Sequence, residues 1–370
     1  MDSLDNKINE PMHQKHGSTK KKLIWTIVFI AIAGLTVWAI TSQNKNFSMS
    51  SFLSFVKSAN PVFMVAAVFG VLGFIIFEGL ALMCICKSFG YKRGFANGYS
   101  YSAADIYFSA ITPSASGGQP ASAFFMMRDG IPGSVVTVSL LINLVMYTFA
   151  ILILGIVCFV INPLIFLSFS TLSKILIIAG IFAQIILATA FILLLKKEKL
   201  LHGICDKFLC LLARLHIIRR LEKKREKLKK WIASYKECAA AISGKRSMLI
   251  KALIFNVLQR ASLISVTLFA FLASGGEASQ VANVWVMQSM VVLGSNCVPI
   301  PGAMGVADYL MLDAFSIIMT AQAAVNLELL ARSVSFYFCV VLSGLSIIVR
   351  LIIDKIISSK KSKNNCAEQN

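Results

Sequence analysis

The sequence predicts an all-α integral membrane protein with six clear transmembrane helices. Two further hairpins, broken by Gly and Pro and oppositely oriented, stand where an inverted repeat would put them. Three observations carry this prediction. Hydrophobic residues make up 57% of the chain and charged residues only 14%, against about 25% charged in soluble domains. The apolar residues gather in runs of 20 or more, and about 20 helical residues rise the roughly 30 Å of a bilayer's hydrocarbon core. Much of the positive charge falls between these runs. The net charge of +19 therefore follows the loop pattern of a membrane protein rather than that of a nucleic-acid surface.

The uninterrupted runs are 23–42, 62–86, 135–160, 171–195, 249–273 and 329–353. A polar, Lys-rich leader, residues 1–22, precedes the first run. That run is long enough to span and has no small-residue cleavage site, so it reads as a retained helix rather than a signal peptide. Lys15, Lys20, Lys21 and Lys22 place the leader in the cytoplasm. Lys87, Lys92 and Arg93 place the end of span 62–86 on the same side. Segment 196–248 holds 16 Lys and Arg against 5 Asp and Glu, which makes it cytoplasmic as well. Lys355, Lys360, Lys361 and Lys363 do the same for the C-terminus, including the polar tail 357–370.

These fixed points constrain the two interrupted stretches. Between residues 93 and 196 only two clear spans are available, so 97–133 must enter and leave on the cytoplasmic side. By the same count 281–322 must enter and leave on the outer side. Each is a re-entrant hairpin or a pair of crossings. Broken backbone at membrane depth is tolerated only where protein buries it or water reaches it. In transporters such segments at matching positions of two halves mark the substrate site. Ungapped, GQPASAFFMMRD and GAMGVADYLMLD match at Gly118/Gly302, Ala123/Ala307, Met127/Met311 and Asp129/Asp313.

The first hairpin reads ITPSASGGQPASAFFMMRDGIP. Pro113, Gly117, Gly118 and Pro120 interrupt a helix there. A helix restarting near Pro120 would aim free N–H groups at the loop, a seat for phosphate. Gln119 adds a neutral donor and acceptor, and Arg128 a cation. The second hairpin reads SNCVPIPGAMGVADYLMLDAF. Pro299, Pro301, Gly302 and Gly305 break it, and Asp308 follows close behind. Asp313, about 140° further around the helix, faces the outer water. Glu78, Asp105, Arg260 and Arg332 lie within apolar stretches, where ionisable groups are costly and turn toward the bundle interior. Asn256 stands one turn before Arg260 and extends a polar face.

Other chemistry is excluded by spacing. The nine cysteines form no CxxC, and His13, His16, His202 and His216 have no partners at ligand spacing, so no metal and no cofactor are expected. No Walker, Ser-His-Asp or Cys-His arrangement occurs, and GGQP lacks the Gly-Lys-Ser/Thr of a phosphate-binding loop. Leu221, Leu228, Trp231, Ile232 and Tyr235 recur at helical spacing within a basic stretch. They read equally as an amphipathic helix on the inner leaflet or as a solvated loop.

The motifs GGQPASAFFMMRDGI and PIPGAMGVADYLMLDAF resemble the paired signatures of the lysylphosphatidylglycerol synthase transmembrane region, also called the flippase-like or UPF0104 family. Arg332, Tyr337 and Gly344 resemble its last-helix pattern, and the likeness covers residues 23–356. Gln119 and Asp308 stand where many members carry Glu. The resemblance implies a multi-pass protein of a bacterial cell membrane that moves aminoacylated phosphatidylglycerol or another phospholipid between leaflets. Cationic lipid on the outer leaflet would repel cationic peptides, the route to antibiotic resistance.

In two-part members a soluble domain makes that lipid. The sequence given ends about 15 residues after the last span, so lysyl transfer by this chain alone is not expected. The alternatives are a lipid-modifying phosphatidylglycerol lysyltransferase, as the family name suggests, and a small-solute transporter or membrane scaffold. The partners implied are an anionic or aminoacylated phospholipid, a separate lipid-modifying enzyme and further copies of the chain. Nucleic acid is not among them.

Overall fold

Long apolar runs fold as helices because a helix satisfies every backbone group internally, the one open-chain solution in lipid. The computed structural model describes residues 54, 56–112, 115–197, 203, 221–242 and 244–367. The basic leader, the first span 23–42, Pro113 and the chain's last three residues lie outside them. Every described residue belongs to one unit, Ser50–Asn370.

In chain order the helices are α1 (Pro61–Ser88), α2 (Phe95–Ile111), α3 (Gly118–Arg128), α4 (Gly133–Ile161), the short α5 (Pro163–Ser168), α6 (Thr171–Lys196), α7 (Leu221–Ala240), α8 (Arg246–Ala273), α9 (Val281–Ser295), α10 (Val306–Phe315) and α11 (Ala321–Arg332). A π-helical segment, Ser333–Phe338, joins α11 to α12 (Cys339–Ala367). Among the described residues five helical elements are long and apolar enough to cross a membrane: α1, α4, α6, α8 and the continuous stretch Ala321–Ile356. Four match the expected spans within a few residues. The fifth begins eight residues before the expected 329, because Thr320 caps it by accepting from the Ala323 N–H.

The hairpins are helical and short. At 1.5 Å per residue α3 and α10 rise about 17 and 15 Å, roughly half of the hydrocarbon core. Each hairpin therefore has one arm shorter than the core is thick.

A repeat organises the bundle. Pro61, Phe95, Gly118 and Gly133 begin a span, two hairpin helices and a second span. Arg246, Val281, Val306 and Ala321 begin the same series 185 to 188 residues later. The leading spans of the two sets, α1 and α8, pair antiparallel along their length. The Asn60 N–H donates to the Ala273 carbonyl at one end, Gly70 lies against Val266 midway, and Gln259 donates to Glu78 further on. The two sets are therefore inverted with respect to each other.

The hairpin bases lie at opposite ends of the bundle. At the basic end Asp129, closing the first hairpin, accepts from Asn97 (2.5 Å), Tyr101 (2.6 Å) and Arg350 (2.7 Å). Arg350 also pairs with Asp354 (3.1 Å), and Asp354 with Arg128 (3.3 Å). This network fastens the first hairpin to the end of α12. At the other end Asp313, matched to Asp129 in the ungapped alignment, accepts from the Ser170 N–H (2.9 Å). It thus fastens the second hairpin to the α5–α6 connection instead of standing free in water.

Segment α7 settles the reading of the basic stretch as a helix. Ile232 and Tyr235 are buried. The Tyr235 hydroxyl donates to the Leu194 carbonyl (2.9 Å), one of the orphan carbonyls at the end of α6. Burial pushes the Tyr235 phenol up to about 12.

Candidate functional site

The two hairpin tips meet around a cavity of about 450 Å³ in the interior of the bundle. Gln119 and Ala115 line it from the first hairpin, and Gly302 and Ala303 from the second. Glu78, Asp105, Arg260 and Arg332, the four charges expected to turn inward, all line it as well.

Both tips are strained. Ala115 (φ 52°) and Ala303 (φ 50°) hold left-handed backbone conformations, which cost a residue with a Cβ about 1–2 kcal/mol. Such strain persists only where the surroundings over-determine it, and it clusters at functional sites. In the second tip Gly302 (φ 62°) completes the turn Pro301–Ala303, packed on the Phe336 ring of the π segment. Short π segments inside helices recur at functional sites, and Ser335 and Phe336 of this one line the cavity.

One wall is acidic. The Glu78 and Asp105 carboxyls lie in hydrogen-bond contact. Glu78 Oε2 accepts from Ser102 (2.9 Å) and Gln259 (3.2 Å), and Asp105 Oδ2 accepts from Gln119 (3.1 Å). The seat expected for phosphate at the start of α3 is taken by Asp105. Its Oδ1 lies over the Gly118 α-carbon, while the Gly117 N–H donates to Thr112 Oγ1 (2.8 Å).

The opposite wall carries Arg260, buried and stacked over the Tyr147 ring at 4.5 Å. Its Nη2 donates to Asn296 Oδ1 (3.4 Å), which also accepts from the Tyr147 hydroxyl (2.7 Å). Several buried polar atoms of cavity-lining side chains have no hydrogen-bond partner: Asp105 Oδ1, Gln119 Oε1, Gln259 Oε1, Arg260 Nε and Gln288 Oε1. An unsatisfied buried polar group costs about 1–3 kcal/mol, so this many in one cavity call for water or a polar ligand rather than a packed core.

Other expected residues stand apart. Arg128 sits at the basic end in its pair with Asp354, outside the cavity lining. Asp308 is also outside it. One Asp308 oxygen accepts from the Gly305 N–H (2.8 Å), capping α10, and the other pairs with Arg332. Arg332 in turn donates to the Gly302 carbonyl (2.8 Å) and approaches Glu328 (3.8 Å). Asp308 therefore acts through Arg332 to hold the second tip. Gly117, Gly118, Pro299 and Gly305 shape the two tips without lining the space, and Pro301 begins the turn of the second tip. Asn256 donates to Asn143 (3.0 Å) and ties α8 to α4.

The sequence reading missed Gln259, Gln288, Asn296 and Tyr147. Gln259 and Gln288 were legible as amides inside apolar runs. Asn296 and Tyr147 are ordinary residue types at unremarkable positions, and only the fold brings them to Arg260. Among the described residues no group of three or more His, Cys, Asp and Glu could hold a metal ion.

A family model for the lysylphosphatidylglycerol synthase TM region matches residues 24–343, most of the chain. The chain belongs to that family. No curated protein and no solved structure matches it. As a member of the lysylphosphatidylglycerol synthase TM region it is a multi-pass membrane protein of a family linked to lipid handling. Both hairpins, the cavity between them and the Arg332–Asp308 pair fall inside the matched range.

Proposed function

We propose that the protein moves a phospholipid between leaflets, carrying its head group through the cavity between the hairpin tips. The observation that supports this best is the cavity's pairing of opposite charges. Arg260, with Nε unpartnered and its plane stacked on Tyr147, suits a lipid phosphate. Glu78 and Asp105 suit an ammonium. The carboxyls and Arg260 lie in one cavity, an arrangement that suits a head group carrying both an ammonium and a phosphate, and so an aminoacylated phosphatidylglycerol over a plain anionic phospholipid.

The remaining assignments follow from this reading. The basic end is cytoplasmic by the positive-inside bias, with both termini on that side of a bacterial cell membrane. Delivery of a cationic lipid to the outer leaflet lowers its negative surface potential, which would protect against cationic peptides. A separate enzyme would supply the modified lipid.

The test is reconstitution into vesicles with labelled phosphatidylglycerol, lysylphosphatidylglycerol and phosphatidylethanolamine, scoring leaflet exchange. The native protein should accelerate exchange of the lysyl lipid above the other two, and Asp105→Asn should abolish that preference. Exchange no faster than in protein-free vesicles for all three lipids would overturn the proposal.

A further inference from the structure

We propose that the Glu78–Asp105 pair is also a binding site for a hard monovalent metal cation of the sodium class, which holds the pair when no lipid ammonium is there. The geometry rests on four side chains in one continuous network. Gln119 joins Asp105, Asp105 touches Glu78, and Glu78 joins Gln259. Each of the two amides donates its N–H to a carboxylate and leaves its carbonyl oxygen buried with no partner. Gln259 is only 2% exposed, and all four side chains line the cavity. Asp105 Oδ1 is the third unpartnered acceptor. The donor set is oxygen throughout, the set that hard cations prefer.

Charge and valence narrow the ligand. Two carboxyls in hydrogen-bond contact hold one proton between them, and an ion that takes the place of that proton is monovalent rather than divalent. A metal ion takes several oxygens at once, and Asp105 Oδ1, Gln119 Oε1 and Gln259 Oε1 are the unpartnered acceptors this network offers it. The location fits as well, since transporters built on broken helices bind coupling ions beside the break, near the midplane. Asp105 lies against Gly118, at the break itself.

The role of the ion rests on the lipid-transport reading, because ion and lipid ammonium would alternate on the same carboxyls. The site rests on geometry alone. It is tested with the full chain purified in detergent, by equilibrium binding of radioactive Na⁺ against K⁺ and choline. Native protein should bind close to one Na⁺ per chain, saturably, and unfold at a higher temperature in NaCl than in choline chloride. Asp105→Asn should weaken binding at least tenfold, whereas Asp313→Asn, in the outer connection, should bind as native. The thermal shift of the native chain needs no variant to fold. No saturable Na⁺ binding, or native-like binding by Asp105→Asn, overturns the site. A chain that moves lipid equally well in NaCl and choline chloride and binds no Na⁺ refutes this inference and leaves the transport reading standing. A chain that binds Na⁺ but moves no lipid does the reverse.

Discussion

Gly118→Ala is the substitution that probes the first hairpin most sharply. A methyl group there would lie 2.0 Å from Ser109 Oγ, 2.1 Å from Asp105 Oδ1 and 2.6 Å from the Asp105 backbone carbonyl oxygen. The two side-chain atoms can swing aside, but the carbonyl belongs to the α2 backbone and moves only with its helix. Bringing that contact to 3.4 Å, the near edge of ordinary van der Waals distance, parts α2 and α3 by about 0.8 Å. Overpacking of this kind costs about 1–3 kcal/mol. The same displacement turns Asp105 away from Gln119, so lipid exchange should fall by more than the loss of folded protein accounts for. Thermal unfolding in detergent measures the first effect and leaflet exchange per folded molecule the second. Gly94→Ala is the control, since its nearest neighbour would be the Asn97 Oδ1 at 3.6 Å, and it should stay within about 0.5 kcal/mol of native. If Gly118→Ala were as stable as that control, the close approach of α3 to α2 would be wrong.

Arg332→Met leaves Asp308 and the buried Glu328 without their cation and frees the Gly302 carbonyl, which should cost about 3–5 kcal/mol. The double variant with Asp308→Asn should cost clearly less than the two single changes added together, as measured by a thermal-unfolding cycle. Ala303→Gly relieves a left-handed alanine and should raise stability by up to about 1 kcal/mol, while the looser tip slows lipid exchange. Tyr235→Phe removes the donor to the Leu194 carbonyl and should cost about 1 kcal/mol, seen as faster proteolysis of the basic segment following α6. Arg350→Ala cuts the first hairpin's base from α12. It should speed hydrogen exchange in α2 and α3 at the basic end and leave α9 and α10 unchanged.

The spans were legible because length and apolar content alone decide them, as in α1, α4, α6 and α8. The hairpins were legible because Gly118, Pro120, Pro301 and Gly302 cannot continue a helix at membrane depth. Sequence could not show how short α3 and α10 are, because that depends on where they begin. The early start of α11 was hidden by Gln322, Asn326 and Glu328, which lower the apolar average of a segment that packing nevertheless keeps helical. The π segment leaves no mark on composition.

At the site, an inward-turning charge is a one-dimensional inference, and Glu78, Asp105, Arg260 and Arg332 all line the cavity. Which face a charge takes near a helix start is a three-dimensional matter. Asp308 turned back to cap α10 and pair with Arg332, so its function-like position in the motif was that of a brace.

Everything proposed about transport depends on the two hairpin tips facing each other across one polar space. The most direct measurement joins Gln119→Cys and Ala303→Cys in a cysteine-free background, with a short bifunctional thiol reagent applied to membranes. Cross-linking within one chain, blocked by prior labelling with a small water-soluble maleimide, is the predicted result. Failure to cross-link, with each cysteine labelled only from its own side of the membrane, would contradict it.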